Sequence, residues 1–183
     1  MRILTFIAIV IDSNREITPP FHNPSMRSPV RIAPIPMSSN ITLQSASLLV
    51  AKFSWGEDYS VAPLTEIRRA VFCVGAWVGG ALVGFAGVSR YASPDGLNTG
   101  DLWFGYAVVT PKYRKRGIFT RLYRECLSYI RSQLGRVFCC TDNPIMISFL
   151  VRRGWQFVRT THDESGADCV VFEYPRSFAR EAQ

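Results

Sequence analysis

One short segment of this chain concentrates residues that could do chemistry: Arg114-Lys115-Arg116-Gly117-Ile118-Phe119-Thr120, called here the 114–120 turn. It combines three cations with a glycine, and it lies between a predicted strand and a predicted helix. The first-turn amides of a helix have no intrahelical partners, and the helix dipole favours negative charge at that end. The segment therefore predicts a site for a phosphorylated ligand. A solvated basic helix start is the alternative interpretation.

Two well-known phosphate signatures are missing from the chain. The dinucleotide fingerprint needs G-x-G-x-x-G after a strand, and the P-loop needs G-x-x-x-x-G-K-[ST]. Neither run occurs in the sequence. What is present is Arg-x-x-Gly-x-Phe-Thr, after a strand predicted to end at Pro111. The phosphate site therefore belongs to neither of those two classes.

Composition indicates one packed domain that attracts anions. The chain has 183 residues, 48% of them hydrophobic and 19% charged, which suits a globular core. The formal net charge of +7 favours nucleic acid, an acidic membrane surface or a phosphorylated cofactor as partner. Basic patches interleaved with aromatic residues are lacking outside the 114–120 turn, so nucleic acid is not favoured.

The cysteines indicate neither a disulfide framework nor a metal site. An odd number, an adjacent pair and the absence of any Cys-x-x-Cys pair argue against both, and the two histidines lie far from cysteine in sequence. We interpret the cysteines as small core residues of a protein from a reducing, cytoplasmic compartment. The five cysteines are Cys73, Cys126, Cys139, Cys140 and Cys169.

Residues 1–29 are predicted to be an apolar segment followed by a proline-rich linker, and residues 30–183 to form the domain. Residues 1–11 are too short to span a bilayer and lack a small-residue cleavage site, so neither a membrane anchor nor export is expected.

Hydrophobic periodicity and turn residues predict the elements of the domain. Predicted helices cover residues 39–53, 65–69, 118–134 and 144–153, with Gly135 capping the third helix and Asn143 capping the fourth. Predicted strands cover residues 30–35, 71–77, 81–91, 102–110, 137–141, 155–160 and 169–174. Strands two and three form a hairpin around Val78-Gly79-Gly80.

Two motifs resemble the GNAT N-acetyltransferase superfamily. The residues from Tyr106 to Thr120 resemble that family's acetyl-CoA-binding motif, R/Q-x-x-G-x-G/A, with Phe119 in place of the second small residue. The residues from Asn143 to Trp155 resemble its N-x-x-A-x-x-L-Y-x-K-x-G-F segment, with Arg152 in place of the lysine. The resemblance covers about residues 30–174.

The resemblance implies an α/β fold with a central, mostly antiparallel sheet of about seven strands flanked by helices. It also implies an enzyme that moves an acetyl group from acetyl-CoA to an amine. The acceptor is a small molecule or a peptide, and a homodimer is left open. The implied acetyl-CoA contacts are Val108, Val109, Arg114, Lys115, Arg116, Gly117, Ile118, Phe119, Thr120, Asn143 and Arg152.

The chain departs from the family pattern at the two positions that usually hold the general acid and the general base. Leu150 stands where many relatives have a tyrosine acid, and Leu102 stands where many have a glutamate base. Tyr106, Tyr123 and Cys140 are other groups that could line the cleft, and no catalytic residue is assigned. A CoA-binding sensor without catalysis is therefore the alternative function.

Overall fold

The structure, a computed structural model, describes residues 28–55, 63–90, 93–163 and 166–175. The predicted N-terminal apolar segment and most of the linker lie outside these residues. The strands are β1 (Arg31–Pro34), β2 (Ala70–Val78), β3 (Ala81–Ser89), β4 (Leu102–Val109), β5 (Val137–Thr141), β6 (Gln156–His162) and β7 (Asp168–Glu173). The α-helices are α1 (Asn40–Val50), α2 (Pro63–Arg68), α3 (Ile118–Arg131) and α4 (Pro144–Arg152).

The strands form one seven-stranded sheet in the order β1-β2-β3-β4-β5-β7-β6. Five of the neighbouring pairs are antiparallel and the β4–β5 pair is parallel, which confirms the predicted mostly antiparallel sheet. The parallel pair arises because α3 crosses from the end of β4 back to the start of β5.

The β2–β3 hairpin turns at Gly79-Gly80, where the backbone has φ of 57° and 83°. A two-residue hairpin loop of this kind needs positive φ at both central positions, which glycine adopts without strain. The turn is one residue shorter than predicted, because Val78 still pairs with Ala81.

Strand β4 contains a β-bulge. Its register with β3 shifts between Phe85 and Gly87, so that one residue of β3 lies opposite two of β4. Tyr106 at this point has a φ of 55°, which is rare for an aromatic residue. The extra residue reverses the alternation of side chains along β4. Phe104 packs on the face covered by α3 and α4, whereas Tyr106 and Val108 pack on the face covered by α1 and α2.

The core is divided by the sheet into these two faces and a smaller third cluster. Helix α3 buries one stripe against β2, β3 and β4, as its periodicity predicts. The third cluster lies on the outer half of the sheet and consists of Trp103, Phe138 and Val171, with Cys140 and Val158 packed against it. Within the described residues, no helix is long and apolar enough to cross a bilayer.

Two predicted helix ends were wrong. Helix α3 ends at Arg131 rather than Leu134, and Leu134 is 91% exposed. The amides of Ser132 and Gln133 bond to carbonyls three residues back, which tightens and ends the last turn before Gly135. Helix α1 ends at Val50, and a π-helical turn at Ala51–Trp55 replaces its predicted last turn.

Candidate functional site

A wedge opens between β4 and β5. The two strands pair only at Leu102 with Val137 and at Trp103 with Phe138, although β4 continues to Val109. Beyond these pairs no strand among the described residues lies against the β5-facing edge of β4. The two strands therefore separate beyond Trp103 and Phe138 and form the two walls of a cleft.

Val109 presents its backbone to this wedge. Backbone groups alternate between the two edges of a strand, and the Thr110 amide donates to the Val83 carbonyl of β3 over 2.9 Å. The N–H and C=O of Val109 therefore lie on the opposite edge. Its carbonyl accepts a 3.0 Å hydrogen bond from Nε of Arg114. The backbone of Val108, by the same alternation, faces β3 rather than the wedge.

The 114–120 turn forms a pocket at the open end of the wedge. Lys115 has a φ of 60° and Gly117 a φ of 70°, so two nearby residues adopt the left-handed conformation. The first-turn amides of α3, which have no partner within the helix, follow directly after these residues. The cavity has a volume of about 240 Å³. It is lined by Val109, Tyr113, Arg114, Lys115, Gly117, Ile118, Phe119 and Thr120.

The left-handed backbone at position 117 favours glycine, which also leaves the pocket open. A Cβ placed there meets no atom within 4 Å. The space is therefore available to a ligand, and the left-handed φ disfavours any residue with a side chain.

The side chain of Arg116 carries an unsatisfied donor. Its guanidinium lies 5.4 Å from the ring centroid of Tyr113, and its Nη1 is buried without a hydrogen-bond partner. A buried donor without a partner is costly. The hydroxyl of Thr110 is also buried without a partner. Arg116 belongs to the turn and Thr110 precedes it by four residues, and a phosphate oxygen has the chemistry to satisfy the arginine.

Four of the predicted contacts, Val108, Arg116, Asn143 and Arg152, are not among the residues that line this pocket. Oδ1 of Asn143 accepts from the amides of Ile145 at 2.9 Å and Met146 at 3.4 Å, so the residue caps α4, as predicted. Arg152 is exposed at the other end of α4. Neither residue lines the pocket, and their contact with acetyl-CoA stays a prediction.

A larger cavity of about 440 Å³ lies on the outer surface of α3. It is lined by Tyr123, Arg124, Leu127, Ser128, Arg131 and Arg153, so the structure places the cleft candidate Tyr123 here rather than at the 114–120 turn. It has no lining residue in common with the pocket at the 114–120 turn.

Comparisons with known proteins identify the family. Residues 43–155 match the model of the Acetyltransferase (GNAT) family, which is more than half of the chain. The chain belongs to the GNAT family. This confirms the resemblance found in the two motifs, and with it the enzyme class and acetyl-CoA as the family's cosubstrate.

A curated relative and two solved structures show how close the likeness is. The chain is 37% identical over 102 residues to the N-alpha-acetyltransferase RimI of Mycobacterium tuberculosis, over 52% of this chain and 60% of that protein. It therefore spans somewhat less than two thirds of the relative's length.

The ribosomal-protein-S18-alanine N-acetyltransferase of Escherichia coli has a TM-score of 0.63 at 13% identity, over 85% of this chain and 99% of that one. An aminoglycoside 6'-N-acetyltransferase complexed with coenzyme A has a TM-score of 0.60 at 17% identity, over 80% and 98%. These structures show the GNAT fold.

The two positions where the GNAT pattern has proton-handling residues are both buried in this chain. Leu150 and Leu102 are 0% exposed and belong to the core on the α3 face. Neither a tyrosine acid nor a glutamate base is therefore present at these points. At both positions the chain therefore has a buried core leucine in place of the family's proton-handling residue.

The two tyrosines considered as cleft residues, Tyr106 and Tyr123, are neutral at physiological pH. Burial raises the pKa of Tyr106 to about 12, and its hydroxyl donates to the Glu66 carbonyl over 3.4 Å. Burial also raises the pKa of Tyr123, whose hydroxyl accepts from Nε1 of Trp155 at 2.8 Å. Such groups hold their protons at pH 7, so they could serve as acids but not as bases.

Two features of the site were not found from the sequence. Tyr113 lines the pocket and lies next to the Arg116 guanidinium, and its position directly before the basic turn was a usable signal. Glu66 lies next to Tyr106 because α2 packs over the bulge, and no local pattern reports that contact.

Proposed function

We propose that this protein transfers the acetyl group of acetyl-CoA to a primary amine, with the CoA pyrophosphate held at the 114–120 turn. The observation that carries the proposal is the left-handed turn at the start of α3, which opens a pocket beside the unpaired edge of β4. The unsatisfied Nη1 of Arg116 supports an anionic occupant.

The wedge would bind the thioester arm along β4. The free edge of this strand offers amide and carbonyl groups that can pair with the amides of pantetheine as a further strand would. The Val109 amide, on that edge, could donate to the oxyanion that develops on the thioester carbonyl. Binding both substrates in one cleft supplies much of the rate through positioning.

The reaction then needs little from acidic or basic side chains. A neutral amine attacks the carbonyl carbon, the C–N bond forms, and the C–S bond breaks to release the CoA thiolate. The amine loses one proton and the thiolate gains one. Water can carry both, which suits a site whose family acid and base positions are Leu150 and Leu102.

As acceptor we propose the α-amine of a peptide N-terminus. The support is the relative at 37% identity, which is an N-alpha-acetyltransferase. The likeness to the aminoglycoside enzyme, at 17% identity, is a likeness of fold. The competing proposal is a CoA-binding sensor without catalysis, which the two buried leucines favour.

The test separates the proposals in two steps. Thermal melting with increasing acetyl-CoA should raise the Tm of the wild type but not of the double variant Arg114→Ala, Gly117→Glu. Release of CoA thiol is then measured with a lysine-free peptide that has a free α-amine. The matched control is the same peptide blocked at its N-terminus and carrying one lysine.

Each outcome decides between the proposals. Turnover of the first peptide alone supports N-terminal acetylation, and turnover of the second alone would move the acceptor to lysine. A Tm rise without turnover on any amine would favour the sensor. No Tm rise in the wild type would refute acetyl-CoA binding and both proposals with it.

We further propose that the domain begins near residue 30 and that the protein works in the cytoplasm. We also propose a homodimer, which light scattering would test. The five cysteines, all free thiols, suit a reducing compartment.

A further inference from the structure

Two cysteine sulfurs meet on the outer half of the sheet. The Sγ atoms of Cys140 on β5 and Cys169 on β7 lie 2.8 Å apart. The register pairs Cys140 with Val171, so Cys169 is the diagonal neighbour two residues along β7, on the same face of the sheet.

The separation of these sulfurs is close to that of a bond. A disulfide has an S–S length of about 2.05 Å, so the two atoms need to approach by only about 0.8 Å. Cys139 is adjacent in sequence, but strand alternation places it in the core on the α3 face. Cys73 and Cys126 are also buried in other parts of the core.

The two thiols differ in access. Cys140 is half-buried, whereas Cys169 is 4% exposed. A small oxidant therefore reaches Cys140 first, and Cys169 is in place to attack the product.

We propose that Cys140 and Cys169 form an oxidisable thiol pair that closes to an intramolecular disulfide between β5 and β7. The co-reactant is a low-molecular-weight disulfide such as oxidised glutathione. The Cys140 thiolate attacks it, forming a mixed disulfide and releasing one glutathione thiolate. The Cys169 thiolate then displaces the second glutathione. Two cysteines are oxidised, one glutathione disulfide is reduced, and the two thiol protons go to the released glutathiones.

The electrostatics of the pair set its reactivity. Burial raises the pKa of both thiols, and the carboxylates of Asp163, Asp95 and Asp142 raise that of Cys169 further. The positive charge of Arg159 also interacts electrostatically with Cys140. Both thiols are protonated at neutral pH, so the reaction is slow there and accelerates about tenfold per pH unit as the thiolate fraction rises.

The disulfide would link β5, at the edge of the wedge, covalently to β7. Strand β5 forms one wall of the wedge, and β7 begins directly after Ala167, whose carbonyl accepts a hydrogen bond from the Asp163 amide. A disulfide closes a loop of almost thirty residues, which restricts the unfolded chain. We expect oxidation to raise Tm on the order of 5 °C. This inference is independent of the proposed function.

The experiment maps the bond in the full chain. The protein is incubated with oxidised glutathione at pH 7.5 and at pH 8.5, alkylated, digested with trypsin and analysed by mass spectrometry. We expect residues 137–152 linked to residues 160–176, free thiols falling from five to three, and about tenfold faster closure at the higher pH.

Two variants show which cysteine of β5 forms the disulfide. Cys140→Ser should abolish the link, whereas Cys139→Ser, its neighbour on the opposite face, should retain it. Melting curves check that each variant is folded, and the wild-type map decides the matter if one is not. Five free thiols after oxidation, a link to another cysteine, or a link between two chains would overturn the proposal.

Discussion

Replacing Gly117 with alanine tests whether the turn holds the cosubstrate. The backbone there has φ 70° and ψ 7°, a left-handed conformation that costs an L-residue about 1–2 kcal/mol. A Cβ at this position meets no atom within 4 Å, so no steric clash adds to that cost in the free protein. For a chain of this size, the penalty lowers Tm by about 2–8 °C.

The effect on acetyl-CoA should exceed the effect on stability. The added methyl group projects into the open pocket beside the amides that would hold phosphate. We expect affinity for acetyl-CoA to fall at least tenfold, equivalent to about 1.4 kcal/mol. The assay is calorimetric titration at fixed salt, because charged contacts weaken as ionic strength rises.

Gly135 provides a matched control. It also has a positive φ, 99°, and its nearest contact for a Cβ is 3.9 Å away at Asp101. It precedes β5, at the end of the sheet away from the pocket. Gly135→Ala should therefore lose similar stability and keep full affinity. Equal affinity losses in the two variants, or none in Gly117→Ala, would refute the assignment of the turn.

Three further predictions concern stability and are measured by urea denaturation. Asn143→Ala should lose about 1 kcal/mol because two first-turn amides of α4 lose their cap. Tyr123→Phe should lose about 1–3 kcal/mol because the buried N–H of Trp155 loses its acceptor. Asp95→Asn should lose about 1–3 kcal/mol at pH 7 because Arg159 makes two hydrogen bonds to that carboxylate. Arg159 also holds the pKa of Asp95 well below its unfolded value of about 3.9, so this stabilisation is present above that pH and is lost as the pH falls.

Each of these predictions has an outcome that contradicts it. Asn143→Asp retains an oxygen acceptor, so a loss equal to that of the alanine variant would exclude capping. Replacing both Tyr123 and Trp155 by phenylalanine removes donor and acceptor together. If the double variant lost much more free energy of unfolding than the two single variants lost together, the hydrogen-bond argument would be wrong. If Asp95→Asn differed from wild type equally at pH 3 and pH 7, ionisation of Asp95 would not be the cause.

Local sequence patterns predicted the starts of α3 and α4 correctly, because residues close together in the chain decide where a helix begins. The start of α3 at Ile118 and the cap at Asn143 followed from residue types in short windows. The end of α3 was missed, because Leu134 continues the apolar stripe although the chain has already left the helix. Periodicity marks which residues can be buried, and it is weaker at marking where a helix ends.

By itself, the sequence determined the order of elements, the basic turn that opens α3 and the two motifs of the GNAT family. These depend on contacts between residues near in the chain. The tertiary structure alone decided three other features: the bulge at Tyr106, the separation of β4 from β5, and the meeting of Cys140 with Cys169. Each depends on the register between strands that are distant in sequence, and one residue of shift reverses which face a side chain occupies.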